Sequence, residues 1–200
     1  MKIKLIKDND VKTSIWAGGE SRQYYIFPTD SSYAERNFCF RVSMATSTSD
    51  EEAKYTSLEN ITRHLIMLEG SAHLFHKNHY DILMNPYEEI DVFDGGWESW
   101  AIGKVTDFNL MLSNNAHGKM AVVLNDGDYA LGGICKNCNK KYNRTAFYCG
   151  QGRADIYLST GEFVSISKGD LLLIEDINID ANAKILLFDS KLVSMDICCY

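Results

Sequence analysis

The sequence predicts an all-β protein built as two consecutive small barrels. Three observations carry this. Residues 38–45 and 105–112 alternate with a period of two, the pattern of half-buried strands. Similar segments recur at short, regular intervals between turn residues, as in barrels and sandwiches. At Ser113-Asn114-Asn115-Ala116-His117-Gly118 the pattern stops and then restarts. That polar, glycine-ended stretch places a boundary between a first barrel, residues 1–113, and a smaller second one, residues 114–200.

In order, residues 2–6 alternate as a strand, and residues 11–16 lead into a turn or bulge at Gly18-Gly19. Residues 21–27 form the next strand, stopped by Pro28-Thr29-Asp30. In residues 38–45, Phe38, Phe40, Val42 and Met44 share one face, and Cys39, Arg41, Ser43 and Ala45 the other. Ser49-Asp50-Glu51-Glu52 offers an N-cap and acids for one or two helical turns up to Leu58. Residues 61–68 are a strand, and 72–75 with 80–83 a hairpin around Lys77-Asn78. Strands follow at 88–93, 98–102 and 104–112, the last with Asp107, Asn109 and Met111 on one face. Beyond the boundary, strands are expected at 120–124, 129–134, 154–158, 163–166, 171–175 and 184–188. Residues 2–6 could cross into this second barrel.

The chain of 200 residues has 46% apolar content, two prolines and fourteen glycines, an ordinary globular composition. It contains no apolar run of about 18 residues, so no membrane span is expected. The first residues lack the apolar core and cleavage site of a secretory signal. The six cysteines are therefore expected as reduced thiols in the cytoplasm. A formal charge of −7 disfavours nucleic acid as a partner.

Five motifs in register resemble the HutD/Ves family of cupin-like bacterial proteins. They are Trp16-Ala17-Gly18-Gly19-Glu20, Phe40-Arg41-Val42-Ser43-Met44-Ala45, Arg63 with the apolar run to Leu68-Glu69-Gly70, Phe93-Asp94-Gly95, and Asp107-Phe108-Asn109-Leu110-Met111. The resemblance covers residues 10–112 well and the remainder loosely. The sequence departs from it at Thr62, where the family usually has Asp, and at Asn60, where it usually has Gly. It implies a cupin-like double-stranded β-helix in a two-barrel (bicupin) arrangement. It also implies a small-molecule-binding, regulatory protein of the kind associated with histidine utilisation or stress responses.

Catalytic metal is not expected. His73, His76 and His79 are three residues apart, so neighbouring pairs fall on opposite faces of a strand, and no histidine follows His117. They read as surface histidines on a hairpin. Cys135-x-x-Cys138 with Cys149 is the one zinc-type spacing. It lacks a fourth ligand, for which Cys198 or Cys199 are candidates, and free thiols in a loop are the plainer reading. No Gly-x-Ser-x-Gly, P-loop or dinucleotide fingerprint is present. Glu88, Glu89 and Asp91 read as a solvated edge, and Trp97 and Trp100 as core aromatics.

What remains is the polar faces. Arg41, Ser43, Asp107 and Asn109 share them with Cys39 and Met111, residue types that prefer burial. A small barrel encloses a metabolite-sized pocket. A buried Arg41 needs a partner, for which Asp107 is the natural candidate, and that pairing would lower the Asp107 pKa. Trp16, Glu20 and Arg63, from the family's motif order, are expected at the rim. The expectation is a metal-independent binding protein for a small anionic carboxylate, with no cofactor. The alternative is a metal-free isomerase or hydrolase, with Glu20 or Asp107 as general base and Arg41 as electrostatic clamp. If the polar faces line the pocket, the apolar ones point outward, which favours a homodimer.

Overall fold

The computed structural model describes residues 1–177 and 180–199. The period-two alternation becomes strands, and the helical element among the described residues is a 3-10 turn at Asp8–Asp10. The chain divides into two compact units, Lys12–Asn115 and Met1–Val11 with Ala116–Tyr200.

Strand β1 (Lys2–Ile6) precedes the 3-10 turn. The unit Lys12–Asn115 contains β2 (Thr13–Trp16), β3 (Gly19–Phe27), β4 (Phe40–Ser47), β5 (Glu52–Lys54), β6 (Ile61–Glu69), β7 (Ala72–His76), β8 (Tyr80–Met84), β9 (Ile90–Asp94), β10 (Ser99–Ile102) and β11 (Thr106–Ser113). They form a six-stranded sheet, β2-β3-β4-β11-β6-β9, and a four-stranded sheet, β5-β10-β7-β8. Leu65, Met67, Leu74, Met84 and Phe93 make a core cluster of this unit.

The other unit contains β12 (Ala116–Val123), β13 (Gly127–Ala130), β14 (Arg144–Leu158), β15 (Phe163–Ser167), β16 (Leu171–Glu175) and β17 (Asn182–Cys199). They join β1 in a seven-stranded sheet whose path is β1-β16-β14-β17-β12. The first eleven residues thus leave the 1–113 segment, because β1 pairs with β16 from Lys2↔Glu175 to Ile6↔Leu171. The long strands β14 and β17 extend well beyond the expected 154–158 and 184–188. Residues 144–150 are buried at every position, Arg144 and Thr145 included, so both faces are covered and no alternation marks them.

The helix expected after Ser49 does not form. Ser49 does accept a hydrogen bond from the Glu51 N–H at 3.1 Å, as a capping serine would, but the chain then extends into β5 and pairs with β10. Exposed Glu52 and Lys54 alternate with half-buried Ala53 and Tyr55. One or two helical turns cannot repay helix nucleation, whereas an edge strand gains both hydrogen bonds and a buried face. Where the family's glycine is replaced, Asn60 keeps the left-handed turn with φ 63°, a conformation asparagine tolerates.

Phe40, Val42, Phe108 and Leu110, expected to point outward from the first barrel, are buried within the single chain. Four cysteines, Cys135, Cys138, Cys149 and Cys198, are free thiols. Cys39 and Cys199 are not among the free thiols, which departs from the expectation of six reduced ones.

Gly70 ends β6 with φ +72°, and a Cβ there would lie 2.1 Å from the Lys104 carbonyl oxygen. Gly70→Ala is therefore expected to destabilise the protein by about 1–3 kcal/mol, read as a lowered urea midpoint at unchanged m-value.

Candidate functional site

The pocket face of the six-stranded sheet follows from register. Strand β11 lies between β4 and β6, and three rows of residues cross it. Arg41 and Arg63 flank Met111, Ser43 and Leu65 flank Asn109, and Ala45 and Met67 flank Asp107. A register shift between Gln23 and Tyr25 in β3 leaves Gln23 opposite Ser43. Of these, Arg41, Ser43, Ala45, Arg63, Asp107, Asn109 and Met111, together with Tyr33, Tyr55, Lys54 and Trp16, line a cavity of about 340 Å³, a size that suits a small metabolite.

Arg41, Ser43, Arg63, Asp107 and Asn109 are all buried and all line this cavity, so the polar faces meet as the alternation predicts. Trp16 sits at the cavity with 42% of its surface exposed. Arg63 is deep rather than at the rim. Glu20 is not among the lining residues, whereas its neighbour Ser21 is; alternation along β3 turns successive side chains to opposite faces. Sequence reasoning missed Tyr33, Tyr55, Lys54 and Gln23.

The expected Arg41–Asp107 pair does not form. Antiparallel register sets Arg41 across from Met111 and Asp107 across from Ala45. Arg41 Nε donates to Gln23 Oε1 at 2.8 Å, and Nη1 donates to Ser43 Oγ at 2.7 Å. Its guanidinium carbon lies 4.3 Å from the Tyr33 ring centre. All these partners are neutral. Burial pulls the Arg41 pKa down to about 10, with Tyr33 opposing and Arg63 adding to the fall, so it stays charged at neutral pH.

Asp107 is also the reverse of expectation. Burial lifts its carboxyl from 3.8 to about 6, against the opposing charge of Arg63 and a hydrogen bond from Asn109. Arg63 lies over Tyr55 at 4.7 Å and Phe93 at 5.2 Å. Its Nε, the Tyr55 hydroxyl and Asn109 Oδ1 are buried without a hydrogen-bond partner. Buried polar groups left unsatisfied carry a desolvation cost that a ligand can relieve. Arg41, Arg63 and Lys54 against one carboxyl give the lining a positive excess, which favours an anion.

The three histidines separate, as alternation requires. His73 is paired with Asp81 at 2.6 Å on the surface, and His79 stacks on Trp97 at 3.6 Å. His76, expected on the surface, is buried instead. Its Nδ1 meets Ser99 Oγ at 2.7 Å, and its Nε2 meets Asp91 Oδ2 at 2.8 Å. Asp91, expected at a solvated edge, also accepts from the Tyr80 hydroxyl at 2.6 Å. None of these residues lines the cavity, and the network is a satisfied set of buried polar groups. Trp97 packs around it, and Trp100 stacks on Phe75 at 5.4 Å.

Cupin folds commonly hold a metal through histidines and a carboxylate. The cavity lining has neither His nor Cys, and its one carboxyl stands beside cations, so this donor set does not fit a divalent ion. Of the thiols with zinc-type spacing, Cys149 lies apart in another core cluster, and Cys198 joins Cys135 and Cys138 in its place.

Solved structures share this architecture. The conserved protein of unknown function PA5104 from Pseudomonas aeruginosa PAO1 aligns with TM-score 0.83 at 15% identity, over 98% of this chain and 99% of that one. HutD from Pseudomonas fluorescens SBW25 aligns with TM-score 0.78 at 14% identity, over 100% of both. The bacterial pirin YhhW from Escherichia coli, in complex with nickel(II), aligns with TM-score 0.64 at 12% identity, over 98% of each chain. These likenesses establish the cupin fold. No curated protein matches the chain. The family model for HutD matches residues 8–187, and on that extent the chain belongs to the HutD family.

Proposed function

We propose that the protein binds a small carboxylate metabolite in the Lys12–Asn115 cavity, without a metal, and serves as a regulatory sensor of it. The observation that carries this reading is the cationic, partly unsatisfied lining. Arg41 has only neutral partners, and Arg63 Nε, Tyr55 OH and Asn109 Oδ1 have none. A guanidinium presents a planar fork that matches a carboxylate in a way a lysine ammonium does not. Ser43 and Asn109 stand one row further in and orient a bound anion through neutral hydrogen bonds.

Calorimetry with small mono- and dicarboxylates tests this. Formate belongs in the panel, since the Pseudomonas fluorescens HutD structure is described as a formate condition. N-formylglutamate and urocanate represent histidine utilisation. Binding of at least one compound is expected, and Arg41→Lys should weaken it by at least about tenfold with the fold retained. Equal affinity in both proteins removes Arg41 from the site.

A second reading rests on Asp107. A carboxyl lifted to about 6 is poised for proton transfer near neutral pH. In that case the protein is a metal-free isomerase or hydrolase, with Asp107 as general base and Arg41 as clamp. Glu20 lies outside the lining and is no part of it. Turnover of a bound carboxylate separates the two readings.

A further inference from the structure

We propose that Cys135, Cys138 and Cys198, with His117 as fourth donor, form a structural zinc site that pins the hairpin around residues 134–141 to β17. The site lies wholly within the unit of Met1–Val11 and Ala116–Tyr200 and is separate from the carboxylate pocket.

The geometry begins in the Cys-x-x-Cys turn. Ile134 and Lys141 form an antiparallel bridge, and the Cys135 N–H donates to the Lys140 carbonyl at 2.8 Å. The Asn139 N–H returns to the Cys135 carbonyl at 2.9 Å, and Asn139 adopts φ 55°. This tight turn holds two thiols at its tip, the arrangement by which a knuckle presents half of a tetrahedral site. The third thiol comes from the far end of the chain. Cys198 Sγ lies 3.4 Å from Cys138 Sγ, and the three sulfurs all fall within 4.8 Å of one another. Zinc–sulfur bonds of about 2.3 Å set tetrahedral sulfurs about 3.8 Å apart. Adjustments of an ångström or less close the set around an ion.

The fourth donor follows from register. His117 of β12 stands directly opposite Cys198 of β17, and its carbonyl oxygen is 3.5 Å from Cys198 Sγ. Opposed residues of an antiparallel pair project to the same face with Cβ atoms about 5 Å apart. The ring nitrogens of His117 are not among the donor atoms within 4.8 Å of one another, so the imidazole takes the open tetrahedral position by turning toward the sulfurs. A site of three thiolates and one neutral imidazole around zinc carries one net negative charge. Lys136, Lys140 and Lys141 lie on or beside the turn, and Lys119 Nζ is 5.6 Å from the ring centre of Tyr142, a residue of the same cluster. The lysines on the turn offset that charge. Cys135 and Cys198 are buried, whereas Cys138 is half-buried and gives the ion an approach. Cys149 takes no part, since its Sγ donates to the Gln151 and Gly152 carbonyls at 3.2 and 3.6 Å.

The full chain is expressed with zinc, purified in reducing buffer without chelator, and its metal measured by elemental analysis and native mass spectrometry. One zinc per chain is expected. Cys138→Ser should lower occupancy at least about tenfold, and His117→Ala should speed loss to a chelator at least about tenfold. Cys149→Ser should retain the metal. Wild-type thiol alkylation gives a readout independent of variant folding, with Cys135, Cys138 and Cys198 protected until zinc is stripped. A metal-free protein, equal alkylation with and without zinc, or a Cys138–Cys198 disulfide in place of the ion overturns the site. Unchanged zinc loss in His117→Ala overturns the fourth donor.

Discussion

Arg63→Met is expected to weaken carboxylate binding by at least about thirtyfold while leaving the fold intact. Arg63 is buried, packed over Tyr55 and Phe93, and its Nε has no partner. Losing one buried charge-assisted contact costs about 2–5 kcal/mol, and the lower figure corresponds to about thirtyfold in affinity. Methionine keeps the length and much of the apolar contact with both rings. A second effect accompanies the first. The Arg63 charge is what opposes burial at Asp107, so its removal should raise the Asp107 pKa above about 6. Calorimetry measures the first effect, and an NMR titration of the Asp107 carboxyl the second. Unchanged affinity together with an unmoved Asp107 would show that Arg63 acts only in packing.

The strand pattern and the identity of the pocket face were legible because both depend on a local period. Arg41, Ser43, Asp107 and Asn109 share a face whatever their partners. Their pairing was not legible, because it depends on register. In the antiparallel β4–β11 pair, Met111 rather than Asp107 faces Arg41. That one displacement converts an expected ion pair into two differently poised groups and reverses the direction of the Asp107 pKa. Tyr55 had a readable signal, since Glu52, Ala53, Lys54 and Tyr55 alternate, but the acids and Ser49 suggested a helix first. Tyr33 lies in a loop without periodicity and had none. The thiol cluster shows the same limit. Cys135 and Cys138 are tied by spacing, but Cys198 reaches them only because β17 returns beside β12 and β14, whereas nearby Cys149 turns into a separate core cluster.

Asp107→Asn is expected to stabilise the empty protein at pH 8, by up to about 3 kcal/mol, and to leave stability near pH 4 little changed. The native state holds the Asp107 proton more tightly than the unfolded chain, at about 6 against 3.8. The stability this contributes is fully present below 3.8 and is lost as the pH rises through about 6. The difference corresponds to about 3 kcal/mol at full ionisation. Asparagine reproduces the neutral acid in shape and hydrogen bonding, so it removes the cost of burying the charge. It also removes a negative charge beside the site of an incoming anion. Wild-type affinity for a small carboxylate should therefore rise as the pH falls from 7.5 to 5.5, whereas Asp107→Asn should bind tightly across that range. Denaturant melts at pH 4 and pH 8 check the first claim, and calorimetry at pH 5.5 and pH 7.5 checks the second. Equal melts of the two proteins at pH 8 would mean that Asp107 is not buried as a charge. Tighter binding by Asp107→Asn with no turnover in either protein supports the sensor. Turnover by the wild type that Asp107→Asn abolishes, with binding retained, would instead assign Asp107 as the general base of an enzyme.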